Sequence, residues 1–365
     1  MKPLELYVHI PFCVKKCAYC DFLSAPAEES VQKAYVERLV EEIRMSGALS
    51  KAYEASTVFF GGGTPSILPS DWLCGILEVL RREFSFREDA EITVEANPGT
   101  VDKKKLSEYR RAGVNRLSLG LQSAENEELR LLGRIHTWEQ FLESFQMARE
   151  TGFGNINVDL MSALPGQTRE SYHRTLEKVL ALSPEHLSAY SLILEEGTPF
   201  YEKYKGHPEL LPSEEEERQM YDDTRDLLED RGYERYEISN YAKPGYACRH
   251  NLGYWERVDY KGYGLGAASL LNNIRYTNQT VLTEYLKGNT EGTKEPLTAQ
   301  AVREEYFFLG LRKTRGVDPG IYRGHYKELI QKLQMQQLLE EKDGKICLTD
   351  RGIDLSNYVL AQFLD

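Results

Sequence analysis

Long apolar runs are missing from this 365-residue sequence: nowhere does it hold the roughly 18 consecutive hydrophobic residues that a membrane-spanning helix requires. The N-terminus lacks the charged-then-apolar plan of a signal peptide, so a cytoplasmic protein is expected. Basic excess is missing too. With 57 Asp and Glu against 45 Lys and Arg, a formal charge of -12, broad electrostatic capture of nucleic acid is disfavoured, and no nucleic-acid partner is expected. Cysteine is scarce, six in all, which rules out a disulfide-rich secreted scaffold.

What the chain does have is a globular composition, 41% hydrophobic and 11% aromatic with 23 tyrosines, enough to bury a large core and a small appended unit. Strand-like and helix-like segments alternate: LELYVHI, STVFF, EITVEA, NRLSLGL, NINVDLM and HLSAYSLIL, separated by helical runs that include 28–45, 137–151 and 168–182. At least six β/α units imply an α/β fold, a partial (β/α)6 TIM-like barrel with its chemistry at the C-terminal mouth of the strands. The acidic run from Ser213 reads as the solvated face of a helix. After residue 290 the pattern turns mainly helical, with KICLTDRG as a short strand and turn, which suggests a winged-helix-like tail. The expected division is a core barrel over 1–240, a connecting segment over 241–290 and a C-terminal helical unit over 291–365.

Three of the six cysteines crowd into CVKKCAYCDF. Cys13, Cys17 and Cys20 are spaced C-x3-C-x2-C directly after an apolar strand, and three thiolates are one short of a closed tetrahedral zinc site. In a 4Fe-4S cluster held by three cysteines, one iron keeps an open position for a small chelating ligand. The competing reading is structural zinc with His9, Cys74 or Cys248 as fourth ligand. Cys74 and Cys347, set in apolar helical or strand-like contexts, read as ordinary buried thiols.

Other polar residues fall just after strands. Gly61, Gly62 and Gly63 follow STVFF and can expose backbone groups to a ligand, with Thr64 adding a hydroxyl and Pro65 fixing the exit; taken alone, a glycine run is most often a turn. Glu95 ends the third strand and could receive an ammonium or ribose hydroxyls. Gln122, Arg134 and Asp159 offer an amide, a guanidinium and a carboxylate near the same mouth, each equally able to be structural.

The stretch YVHIPFCVKKCAYCDF resembles the cluster loop of radical S-adenosylmethionine (SAM) proteins. GGGTPS at 61–66, EANPG at 95–99, GVNRLSLGLQS at 113–123, LGRIHT at 132–137 and VDLMSALPGQT at 158–168 follow in matching order. The flanks resemble the branch that holds the oxygen-independent coproporphyrinogen III oxidases and the HemW haem chaperones. That resemblance implies a 4Fe-4S cluster on Cys13, Cys17 and Cys20, and one or two SAM molecules. It places the SAM contacts at Tyr7, Tyr19, Gly62, Gly63, Thr64, Glu95, Gln122, Arg134 and Asp159. It also implies electron delivery from the cluster to the sulfonium, with hydrogen abstraction by the resulting radical.

Two departures separate the halves of that branch. The oxidases carry a further cysteine two residues after the third, where this chain has Phe22, so CDF is similar to the chaperone form. CRHNLGYW resembles the chaperones' H-N-x-x-Y-W motif, which implies His250 as an axial haem ligand, Cys248 as an alternative ligand, and Tyr254 and Trp255 against the porphyrin. From composition alone the same residues read as loop and core. The expectation is a cluster-bearing, SAM-binding haem chaperone that passes haem to acceptor proteins. It would take electrons from a donor, with room for a peripheral membrane contact. The alternative is the radical oxidase acting on coproporphyrinogen, and whether the chain is an enzyme stays open. His136 and His186 are taken as structural.

Overall fold

The computed structural model describes residues 1–47 and 49–364. Twelve strands form one sheet. The first six run parallel to one another: β1 (Lys2–Ile10), β2 (Tyr53–Gly62), β3 (Ser85–Ala96), β4 (Arg116–Gln122), β5 (Ile156–Ser162) and β6 (His186–Ser191), paired in that order. The helices between and beyond them are α1 (Glu29–Arg44), α2 (Ser70–Glu83), α3 (Lys103–Ala112), α4 (Asn126–Leu132), α5 (Trp138–Glu150), α6 (Arg169–Leu180), α7 (Pro199–Tyr204) and α8 (Glu214–Asp230). This is the (β/α)6 barrel-type arrangement expected from the sequence. Local chemistry sets its helix starts. Thr137, Thr168 and Ser213 each close a capping box, and Asp102 accepts the amide of Lys105.

Alternation along the strands sorts the side chains onto two faces. Leu4, Leu6, Val8, Val58, Phe60, Ile92, Val94, Leu117, Leu119, Val158, Leu160 and Leu187 join one continuous core beneath the helices. The residues between them, Glu5, Tyr7, His9, Thr57, Glu91, Thr93, Glu95, Arg116, Ser118, Asp159 and His186, share the other face. That face is polar and mostly buried, with Tyr7, Glu95 and Asp159 partly open towards the mouth, which is unusual for a parallel sheet.

Residues 241–290, expected as a connecting segment, contribute further pieces of the sheet. The short β7 (Glu234–Arg235) and β8 (Asn240–Ala242) pair antiparallel beyond β6. Following α9 (Arg249–Trp255), β9 (Tyr260–Tyr263) adds parallel to β1, and β10 (Ala268–Leu271), β11 (Ile274–Asn278) and β12 (Glu291–Pro296) continue it antiparallel, with α10 (Leu282–Leu286) before the last. The C-terminal unit has its own core of Phe307, Leu333, Ile346, Val359 and Phe363. It consists of α11 (Ala299–Gly310), α12 (Lys327–Met335), the hairpin β13 (Leu339–Lys342) and β14 (Lys345–Leu348), then α13 (Asp350–Asp354) and α14 (Ser356–Ala361). Cys347 is buried as expected, whereas Cys74 on α2 is only partly buried, though packed against the main core. Among the described residues no helix is long and apolar enough to cross a membrane.

Candidate functional site at the barrel mouth

The cysteine loop leaves β1 and is held in place by backbone bonds. The Cys13 amide donates to Ala25 O, Ala18 N to Leu132 O, and Phe200 N to Ala18 O, so the loop is laced to the ends of α4 and α7. Gly63 N donates to Ile10 O and Thr64 N to Phe12 O, which seats the glycine segment against the loop's root. Here glycine is required. A Cβ at Gly63 would stand 2.5 Å from the Phe12 carbonyl, and Gly62 has φ +113° with the His9 ring in the way of any side chain. Among the described residues no three His, Cys, Asp or Glu side chains gather as a single-ion site. His9 is spoken for by Tyr7 OH (3.0 Å) and Leu23 O (2.9 Å), and Cys248 lies against Glu91 rather than near the loop. Neither His9 nor Cys248 is therefore placed to close a zinc site, while a cluster, which binds each thiolate on its own iron, needs no such convergence.

The sequence-predicted residues come together around this loop. Thr64 Oγ1 lies 3.7 Å from Cys13 Sγ and accepts from Asn97 Nδ2 at 2.9 Å. Arg134 reaches Cys17 Sγ at 3.8 Å with Nη1, while Nη2 donates to Asn97 Oδ1 at 2.7 Å and to the Gly120 carbonyl, and its buried Nε has no partner. Gln122, buried and at φ +76° where β4 breaks register with β5, accepts from Tyr190 OH at 3.0 Å. A non-glycine residue held at positive φ is strained, and such strain is tolerated where a side chain must be aimed. Tyr19 packs beside Phe200.

Two carboxylates complete the mouth. Glu95 accepts from Gly62 N at 3.2 Å, and burial together with the nearby Asp159 pushes its pKa up to about 8. Asp159 is raised as well, chiefly by burial, against the pull of Asn157 Nδ2 at 2.7 Å and Ser118 Oγ at 3.3 Å. Two buried acids and a guanidinium nitrogen without a partner suit a zwitterionic ligand carrying both ammonium and carboxylate groups. Asn97 and Tyr190 belong to this arrangement and were missed from sequence. Asn97 sits inside EANPG, one residue past the strand, and Tyr190 occupies an inward position of β6; both patterns were visible.

The histidine motif goes elsewhere. Glu5, Thr57 and Glu91 are register neighbours nearer the strands' N-terminal ends, and α9 packs there. Glu91 caps α9, accepting from Arg249 N (3.1 Å) and His250 N (3.2 Å), and Gly253 gives Glu5 the close approach it needs. His250 is 1% exposed. Its Nδ1 bonds Thr57 Oγ1 at 2.6 Å, its Nε2 bonds Tyr254 OH at 3.0 Å, and its ring stacks on Phe59 at 5.0 Å. Burial and Arg116 depress its pKa to about 3, and burial lifts that of Cys248 to about 12. In this conformation no face of His250 or Cys248 is open to a porphyrin, and Trp255 instead carries the Arg312 guanidinium 4.4 Å above its ring. His186 is likewise structural, bridging Asn157 and Tyr236.

Fold and loop together define a class: a radical SAM barrel, with an open-cluster loop at the C-terminal ends of its strands. The family model described as the Radical SAM superfamily matches residues 7–179, and that of the HemN C-terminal domain matches 297–355. Heme chaperone HemW of Lactococcus lactis is 38% identical over all of this chain and 98% of its own, that of Bacillus subtilis 36% over 98% of each, and that of Escherichia coli 42% over 73% of this chain and 70% of its own. Coproporphyrinogen III oxidase (HemN) from Escherichia coli, described as a radical SAM enzyme, superposes with a TM-score of 0.86 at 27% identity, over 100% of this chain and 90% of that one. The chain belongs to the HemW family of radical SAM proteins.

Proposed function

We propose that this protein is a haem chaperone that carries a 4Fe-4S cluster, binds SAM at the barrel mouth and hands haem to acceptor haemoproteins. The observation that carries the reading is the full-length similarity to proteins named heme chaperones, together with Phe22, 63% exposed, at the position where the oxidase branch has its extra cysteine. The oxidase alternative is not favoured. Electrons from a donor would enter through the cluster, and a cytoplasmic setting fits a chain without a membrane-spanning helix among its described residues.

In this reading Cys13, Cys17 and Cys20 hold the cluster, and Arg134 and Thr64 tune it by donating towards the sulfurs of Cys17 and Cys13. Cluster and SAM, when bound, supply one-electron chemistry at a carbon centre. The chain's own part is alignment and shielding. Gly62 and Gly63 let backbone approach the ligand, Glu95 and Asp159 receive its ammonium and hydroxyl groups, and Gln122 and Arg134 bind its remaining polar atoms. Tyr7 and Tyr19 wall the mouth, and their hydroxyls stay protonated because burial raises both pKa values.

Titration of ferric haem into the reconstituted protein, followed by absorption, tests this function. Saturable one-to-one binding is expected. Anaerobic incubation with coproporphyrinogen, SAM and reductant should give no decarboxylated product, and its appearance would reverse the assignment.

A further inference from the structure

A cavity of about 490 Å³ lies between the C-terminal half of α1 and the strands β9 to β12. Its volume falls within the roughly 300–1,000 Å³ of small-molecule sites. None of the described residues that line it belongs to the barrel mouth. Lys261 of β9 is one of them. Strand alternation places Lys261 with its register partner Leu6, and with Tyr263, on the face that packs beneath the helices. An ammonium on that face is costly unless something pairs with it.

The chain itself supplies no full partner. Glu42 of α1 holds Oε1 4.0 Å from Lys261 Nζ, outside hydrogen-bond reach. That carboxylate is already occupied: Oε1 accepts from Asn278 Nδ2 at 2.8 Å, and Oε2 from Gly264 N at 3.0 Å and Tyr285 OH at 2.6 Å. Among the described residues Lys261 Nζ makes no hydrogen bond, and its other neighbour is the Tyr263 ring, 5.0 Å from Nζ. Burial pulls the Lys261 pKa below the ordinary lysine value, against the opposing pull of Glu42. The side chain is 20% exposed, so its donors are open to a molecule in the cavity.

We propose that this cavity binds a small organic monocarboxylate, with the carboxylate on Lys261 and the apolar body against Leu49, Leu271 and Tyr276. Leu49 and Leu271 are partly buried and anchored on the main core, and Met45, 75% exposed, adds an uncovered apolar side chain to the same lining. Charge selects the class. Lys294 of β12 lies 5.4 Å over the ring of Tyr276, its register partner, and forms no ion pair among the described residues. Glu291 lines the same cavity. Lys261 and Lys294 are thus offset by Glu42 and Glu291, so a single negative charge is accommodated on Lys261 whereas a phosphate dianion meets repulsion that nothing compensates.

The test is calorimetric titration of the full-length reconstituted protein with octanoate, and with octanol, octylammonium and inorganic phosphate, each with and without saturating SAM. Saturable one-to-one octanoate binding is expected, at least about tenfold tighter than for the other three probes and unchanged by SAM. Lys261→Met, which keeps the length of the side chain and needs no acceptor, should weaken octanoate about 10–100-fold, the worth of a charge-assisted hydrogen bond. The wild-type series decides the matter by itself if that variant fails to fold. No octanoate binding, equal binding of any other probe, displacement of octanoate by SAM, or undiminished binding by Lys261→Met overturns the cavity site. None of these outcomes touches the haem-chaperone reading, and failure of that reading leaves the cavity site standing.

Discussion

Replacing Glu95 with Gln should stabilise the ligand-free protein and weaken SAM binding at the same time. In the folded chain the Glu95 pKa is about 8 against an ordinary 4.5, so the folded state holds the proton more tightly than the unfolded one. Stability from this group therefore falls as pH rises from about 4.5 to about 8, and stays low above that. The gap of about 3.5 units corresponds to at most ~5 kcal/mol. Water at the open mouth screens part of it, leaving on the order of 2–3 kcal/mol. Gln keeps the shape and an acceptor for Gly62 N but never has to ionise. Denaturant melts of cluster-free wild type and Glu95→Gln should nearly coincide at pH 5 and separate by that amount, in favour of Gln, by pH 9. SAM affinity of the reconstituted protein should drop about 10–100-fold at pH 8, the worth of a charge-assisted hydrogen bond. A variant less stable than wild type at pH 9, or one that binds SAM equally well, would refute both the buried-acid argument and the role given to Glu95.

Other outcomes follow from contacts already described. Gly63→Ala, whose Cβ would stand 2.5 Å from the Phe12 carbonyl, should push the cysteine loop off its seat and lower reconstituted iron content severalfold, while Gly154→Ala, with open space around it, should not. Glu91→Ala removes the cap on Arg249 and His250 and should cost about 1–3 kcal/mol in unfolding free energy, read from denaturant midpoints. Phe22→Cys restores the oxidase spacing at an exposed position and should leave cluster content and stability unchanged, without porphyrinogen oxidation. Asn97→Ala, which loses bonds to both Thr64 and Arg134, should weaken SAM binding about tenfold with little change in iron content.

The barrel was legible because its strands are β-branched or leucine-rich and its helices carry clear caps, so the period changes cleanly from one element to the next. The cluster loop was legible from its C-x3-C-x2-C spacing, and the mouth residues from their places just after strands together with the family resemblance. The edge strands were not. β12 is EGTKEP, exposed at every position and rich in charge, and β9 to β11 are short with glycines and polar residues; their pairing is dictated by the exposed edge of β1, a tertiary cause that no local pattern records. The polar inner face was hidden for a related reason: Asp159 reads as a mouth residue, but Glu5, Glu91 and Arg116 carry no local signal that sets them apart from solvated strand positions, and all three are buried. His250 shows the same limit most plainly. The resemblance implies an axial haem ligand and composition a core residue; in the structure Thr57, Phe59 and Tyr254, from two different elements, close around it.

The central claim is a cluster with one uncommitted iron, held by three thiols. Anoxic Mössbauer spectroscopy of the iron-57 reconstituted wild type, with and without SAM, tests it most directly. The account predicts about four irons per chain, one of which changes its isomer shift when SAM is added, and no such spectrum from a chain with Cys13, Cys17 and Cys20 all replaced by serine. Identical spectra from the two proteins, or a wild-type spectrum indifferent to SAM, would contradict it.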